Sequence, residues 1–225
     1  MEYVLKKSED KNLSNLHKVI FVHVAKAAGT SVWKNLGMTK FTRGIFTILQ
    51  LKDIIPNDKF NSYCKFTIVR NPWDRMVSLY EYRKKEKHDE YIYNSNNYEF
   101  KDWLMNPHVK GLRDESILFQ PNFYRDYFSQ LGMEWYKIHK HWLPQLNMIS
   151  DENDNICIDA ILKFESLDND WKEFSKHIGI ELSPLKKHNT TKKKDYKDYY
   201  DSETIDYVSK LYHKDITAFN YKFEE

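Results

Sequence analysis

The chain has 225 residues, enough for one well-buried domain, and its 35 basic and 33 acidic residues nearly cancel to a formal +2. That balance argues against a nucleic-acid coat protein and requires any anion site to be local. Two cysteines give neither a disulfide framework nor a metal cluster, no apolar stretch reaches the roughly 20 residues of a membrane span, and Met1 to Leu16 is polar and charged rather than a signal peptide.

In chain order, the first predicted element is a strand near 18–24, where Val19, Ile20, Phe21, Val22 and Val24 form an apolar run suited to a parallel strand covered on both faces. It runs into His23-Val-Ala-Lys26-Ala-Ala28-Gly29-Thr30-Ser31. Small residues there let backbone N–H groups approach an anion, Thr30 and Ser31 add hydroxyls, and Lys26 adds a full charge. Val32, Trp33 and Leu36 then follow with helical spacing, predicting a helix near 30–36 that Gly37 can end. A helix start carries unpaired N–H groups and partial positive charge, so a phosphate or sulfate is stabilised there. In the usual nucleotide-triphosphate loop the lysine follows the last glycine; here Lys26 precedes Gly29 by three residues, which argues against a standard kinase or ATPase.

The pattern repeats with a different cation. Phe66, Ile68 and Val69 close a strand near 63–69, Asn71 can cap a helix, and Pro72 suits its first position. Trp73, Met76, Val77 and Tyr80 fall on one face of a helix near 72–86. Arg70 brings a planar fork suited to phosphate, and Ser78 follows about 10 Å of helical rise beyond the cap. Asp74 and Arg75 read as scaffold. The stretch 87–150 is polar, irregular and rich in aromatics, among them Tyr91, Tyr93, Tyr98, Trp103, Tyr124, Tyr127, Trp135 and Trp142. Such rings suit sugars, although most are expected to be ordinary core. A strand near 156–164 follows. Helices near 168–178 and 202–219 complete the pattern, the first capped by Asp168 and stopped by Gly179. Cys64 and Cys157 both fall on predicted strands and are expected to be reduced and buried. Asp159 is a weak candidate for a magnesium ligand.

These two turns resemble the cofactor loops of sulfotransferases that use 3′-phosphoadenosine 5′-phosphosulfate, most closely the carbohydrate-type family. The resemblance continues through Phe119-Gln120-Pro121, His141-Trp142-Leu-Pro-Gln145, Phe164-Glu165-Ser-Leu167, His188-Asn189-Thr190 and Tyr199-Tyr200-Asp201, from about residue 17 onward. It implies a P-loop-like three-layer α/β fold with a central, mainly parallel sheet flanked by helices. The implied organisation is a polar lead over 1–16 and a single domain over 17–225, with 87–150 as an acceptor-binding elaboration. Lys26, Ala28, Gly29, Thr30 and Ser31 would wrap the 5′-phosphosulfate, Arg70 and Ser78 would hold the 3′-phosphate, and Thr191, Lys192 and Lys193 would lean over the nucleotide. The implied reaction is sulfuryl transfer to a hydroxyl of a saccharide or glycoconjugate, with no metal. The near balance of charge predicts no nucleic-acid partner, and a start unlike a signal peptide together with the lack of a membrane-length apolar stretch predicts a cytoplasmic setting.

Two departures from the family pattern stand out. Proline and threonine usually flank the lysine, where this chain has Ala25, Ala27 and Ala28, and no histidine occurs between Trp33 and Val69 to serve as base. Lys26 is the expected catalytic cation. His141 is the first candidate for the base, with His139 and His108 behind it, while His23 reads as a strand-end core residue. Two alternatives stay open: a kinase-like phosphotransferase and a non-catalytic nucleotide-binding relative.

Overall fold

The computed structural model describes residues 11–38, 44–85, 98–105, 140–186 and 194–224. They belong to two compact units, Met1–Arg70 with Gln145–Thr190, and Asn71–Pro144 with Thr191–Glu225.

The first unit is built on a four-stranded sheet in the order β1-β2-β3-β4, formed by Leu13–Ser14 (β1), Val19–Val22 (β2), Cys64–Val69 (β3) and Ala160–Lys163 (β4). β1 pairs antiparallel with β2; the other pairings are parallel, with Phe21 opposite Phe66 and Phe66 opposite Ala160. This is the mainly parallel α/β architecture that the family resemblance implies, with its strands on the apolar runs of the sequence. All four residues of β2 are fully buried, as are Phe66, Ile68 and Val69. That burial on both faces is why these strands lack polar alternation. Thr67 is tolerated in this interior because its hydroxyl donates to the Val22 carbonyl at 2.7 Å.

Helices α1 (Gly29–Asn35), α2 (Ile48–Ile54), α3 (Asn57–Ser62), α6 (Gln145–Ile149) and α7 (Leu167–His177) complete this unit. α7 lays Trp171 and Phe174 against Phe66, with ring centroids 6.0 and 4.4 Å away. Gly37 and Gly179 terminate α1 and α7 in left-handed conformations, φ +69° and +66°, as their positions in the sequence suggested. Asp168 does not cap α7. The N-cap is Ser166, and Asp168 lies in the first turn. β4 is shorter than 156–164 because the Asp159 carboxylate accepts the Lys65 N–H at 2.7 Å, filling that place with a side chain, and Ile156 forms only an isolated bridge with Ser150. Cys157 therefore lies outside the strand. Both cysteines are free thiols and half-buried, which corrects their expected full burial; desolvation still pushes the Cys64 thiol up.

The second unit contains α4 (Pro72–Lys85), α5 (Phe100–Met105), a 3-10 turn at Tyr196–Tyr199, α8 (Ser202–Leu211) and α9 (His213–Phe219). Tyr80 of α4 packs on Phe100 and Trp103, each with ring centroids 5.3 Å away, and Trp103 packs on Trp142 at 4.8 Å. Trp103 and Trp142 are thus core residues. The helix expected over 202–219 is broken at Tyr212, which leaves the helical region (φ −115°) and turns its buried hydroxyl onto the Trp142 carbonyl at 2.8 Å. Among the described residues no helix is long and apolar enough to cross a membrane.

Candidate functional site

Because β2 and β3 are parallel neighbours, their C-terminal ends open on the same edge of the sheet. The chain leaving β2 is the Lys26 loop, and the residue leaving β3 is Arg70. Ligands of open α/β sheets bind at that edge, outside the strand ends.

The Lys26 loop is tightly wound. Lys26 and Ala28 both take the left-handed conformation, φ +70° and +60°. That region is uncommon for residues with a side chain. The Ala27 N–H donates to the Val24 carbonyl at 3.3 Å, and α1 begins with the Ser31 N–H donating to Ala28 at 2.9 Å. Ala28 is the N-cap, and no side chain caps the helix. The first N–H groups of a helix have no partner within it, so a start without a side-chain cap leaves that role to solvent or a ligand. Lys26 and Thr30 are half-buried and Ser31 is buried.

Gly29 is required by packing rather than by its backbone angle. A Cβ at this position would lie 2.1 Å from Nε2 of His23. The imidazole is wedged there, edge-on to Trp33 at 4.2 Å and beside Phe21 at 5.6 Å. His23 is therefore the buried strand-end residue that the sequence suggested, and it backs the Lys26 loop at Gly29.

Arg70 is 6 % exposed and held on every side. Its backbone N–H donates to Oε1 of Gln145 at 2.8 Å, and Nε2 of Gln145 donates back to the Arg70 carbonyl at 2.8 Å. The guanidinium lies over the Phe164 ring at 4.1 Å, and Nη1 donates to the Lys26 carbonyl at 2.9 Å. The two cationic residues singled out from sequence are thus joined directly. Gln145 and Phe164 figured there only as family landmarks. Their partnership with Arg70 spans 75 residues in the case of Gln145, and no local pattern announces it.

In the second unit, Asn71 caps α4 by accepting from the Trp73 N–H at 3.1 Å, with Pro72 at the first helical position. Ser78 is half-buried on this helix. Arg75 is the scaffold expected: 1 % exposed, it donates to the carbonyls of His141 (3.3 Å) and Leu143 (2.8 Å) and lies over the Tyr212 ring. His141 meets Nη2 of Arg83 through Nδ1 at 2.9 Å. A guanidinium only donates, so Nδ1 accepts and the ring is neutral with its proton on Nε2. Taking up a proton at Nδ1 requires that contact to break. Next to it, burial pushes the Lys140 ammonium down to about 8, and no motif in the sequence singles this group out. Thr191, Lys192, Lys193, His108 and His139 lie outside the described residues. No group of three or more potential metal ligands occurs among the described residues, and Asp159 is engaged by Lys65 at 3.0 Å.

A sequence model of the sulfotransferase family matches residues 12–222. No curated protein and no solved structure gives a significant match. With nearly its whole length matched, the chain belongs to the sulfotransferase family and is a transferase that moves sulfuryl groups to hydroxyl-bearing acceptors.

Proposed function

We propose that this sulfotransferase takes its sulfuryl group from 3′-phosphoadenosine 5′-phosphosulfate and delivers it to a hydroxyl of a carbohydrate by in-line displacement. The observation that carries the donor assignment is the Lys26 loop: a left-handed lysine and an uncapped helix start at the end of a parallel strand, braced by an arginine from the neighbouring strand end. Such a turn suits an anion bound by backbone N–H groups, with Lys26, Ala28, Gly29, Thr30 and Ser31 around the 5′-phosphosulfate. Arg70, whose planar fork of N–H donors suits a phosphate, is assigned with Ser78 to the 3′-phosphate. Thr191, Lys192 and Lys193 are assigned to the nucleotide on family resemblance alone.

The donor supplies an activated sulfur, and no metal is required. As the bond from sulfur to the 5′-phosphate oxygen breaks, negative charge builds on that oxygen, and the Lys26 ammonium offsets it more in the transition state than before. The new bond joins sulfur to the acceptor oxygen. The hydroxyl proton goes to Nδ1 of His141, after Arg83 has given up its contact there. The carbohydrate acceptor is supported by family resemblance and by the aromatic content of 87–150.

Isothermal titration of the purified chain with adenosine 3′,5′-bisphosphate, in chelator, tests the donor assignment. Binding without metal and stronger than that of 5′-AMP is expected. No heat with the bisphosphate, together with binding of ATP and magnesium, would replace this reading with a phosphotransferase.

A further inference from the structure

β3 ends at Val69, so Arg70 has left the hydrogen-bonded ladder that fixes the residues before it. A residue just past a strand end ordinarily keeps some backbone freedom. Here the side-chain amide of the fully buried Gln145 takes the place of one rung of a neighbouring strand, accepting from the Arg70 N–H and donating to its carbonyl, both at 2.8 Å. Phe164 continues the edge, its N–H donating to the Val69 carbonyl at 2.8 Å while its ring underlies the guanidinium at 4.1 Å.

We infer that Gln145 is a positioning residue for the donor nucleotide. By clamping both backbone groups of Arg70 above the Phe164 ring, it presets the guanidinium that recognises the 3′-phosphate and, through Nη1, holds the Lys26 carbonyl of the 5′ loop. This rests on the reading of Arg70 as the 3′-phosphate partner. A preset side chain loses less freedom on binding, so its removal weakens recognition of the group it serves rather than of the whole ligand. Gln145 meets the main-chain N–H and carbonyl of Arg70, so its effect is expected to be greatest in discrimination at the nucleotide's 3′ end, where the guanidinium is itself the ligand, and smaller at the 5′ loop, which the guanidinium reaches through one carbonyl.

The test is the affinity ratio for adenosine 3′,5′-bisphosphate over 5′-AMP in wild type, Gln145→Leu and Gln145→Glu. Charge-assisted contacts of this kind are worth about tenfold or more in affinity, which sets the preference expected of wild type. Gln145→Leu is expected to bring the ratio near unity while 5′-AMP affinity changes by less than about threefold. In Gln145→Glu the introduced carboxylate can still accept from the Arg70 N–H but cannot donate to its carbonyl. Its ratio, taken against wild type at the same pH, should therefore recover on acidification toward about 4, where that carboxyl regains a proton. A residue that merely supported the fold would shift the melting temperature without moving this ratio. Wild-type discrimination retained in both variants overturns the inference and leaves the function standing. Absence of discrimination in wild type itself overturns the assignment of Arg70. If neither variant folds, Gln145 belongs to the framework and the inference fails.

Discussion

Gly29→Ala is the smallest change that should disable the anion loop. The added Cβ would sit 2.1 Å from Nε2 and 2.3 Å from Cδ2 of His23, well inside van der Waals contact. The imidazole has little room to retreat, being 7 % exposed and packed on Trp33 and Phe21. Overpacking of this kind costs about 1–3 kcal/mol, which for a chain of this size lowers the melting temperature by about 2–12 °C. The displaced ring would also push the start of α1, so stabilisation by adenosine 3′,5′-bisphosphate should shrink in the same variant. Thermal unfolding with and without nucleotide reads both effects. Adding His23→Ala removes the obstruction, and the double-mutant cycle should give a favourable coupling of about 0.5–3 kcal/mol. A Gly29→Ala variant with wild-type melting and wild-type nucleotide response would refute the reasoning. Strict additivity of the two substitutions would do so too.

Lys26→Ala should lower turnover by about 100- to 1,000-fold, the usual loss when a preorganised partner of developing charge is removed, with bisphosphate affinity weakened by less than about tenfold; unchanged turnover in a labelled-donor assay would remove Lys26 from the chemistry. Arg75→Leu strips donors from the carbonyls of His141 and Leu143 and should cost about 2–5 kcal/mol in a urea titration. Burial pushes the Lys140 ammonium down to about 8, below the ordinary lysine value, so between about pH 8 and about pH 10 this group holds more proton in the unfolded chain than in the folded one, and its contribution to stability rises with pH. Lys140→Met should abolish that rise relative to wild type and leave the curve below about pH 8 parallel to it. An identical slope in both proteins would show that the buried ammonium is not its source.

The elements legible in the sequence were those whose local pattern matches their tertiary surroundings. Val19 to Val22 and Phe66 to Val69 read as buried parallel strands and are so, because burial on both faces leaves no polar alternation to confuse them. Asn71-Pro72, Gly37 and Gly179 marked helix ends through backbone chemistry that acts locally. α2 was missed although Thr47 and Gln50 form a reciprocal capping box, a signal present in the sequence. The break at Tyr212 is not marked in the apolar periodicity, and the contact its buried hydroxyl makes there, with the Trp142 carbonyl, lies 70 positions away. Lys26 and Arg70 were legible as candidate anion ligands from residue type and strand-end position. What joins them was not: the Arg70 contact with the Lys26 carbonyl, the Gln145 clamp and the wedge of His23 behind Gly29 all depend on which strands are neighbours and where the chain returns.

The most direct measurement is group transfer itself. The purified chain would be incubated with sulfur-labelled 3′-phosphoadenosine 5′-phosphosulfate and, in parallel, with γ-phosphate-labelled ATP and magnesium, over one panel of polysaccharides, glycolipids and simple alcohols. Label moving from the phosphosulfate to a saccharide hydroxyl, with one adenosine 3′,5′-bisphosphate released per transfer and none lost in chelator, is the predicted result. Transfer of the ATP label in its place would contradict it.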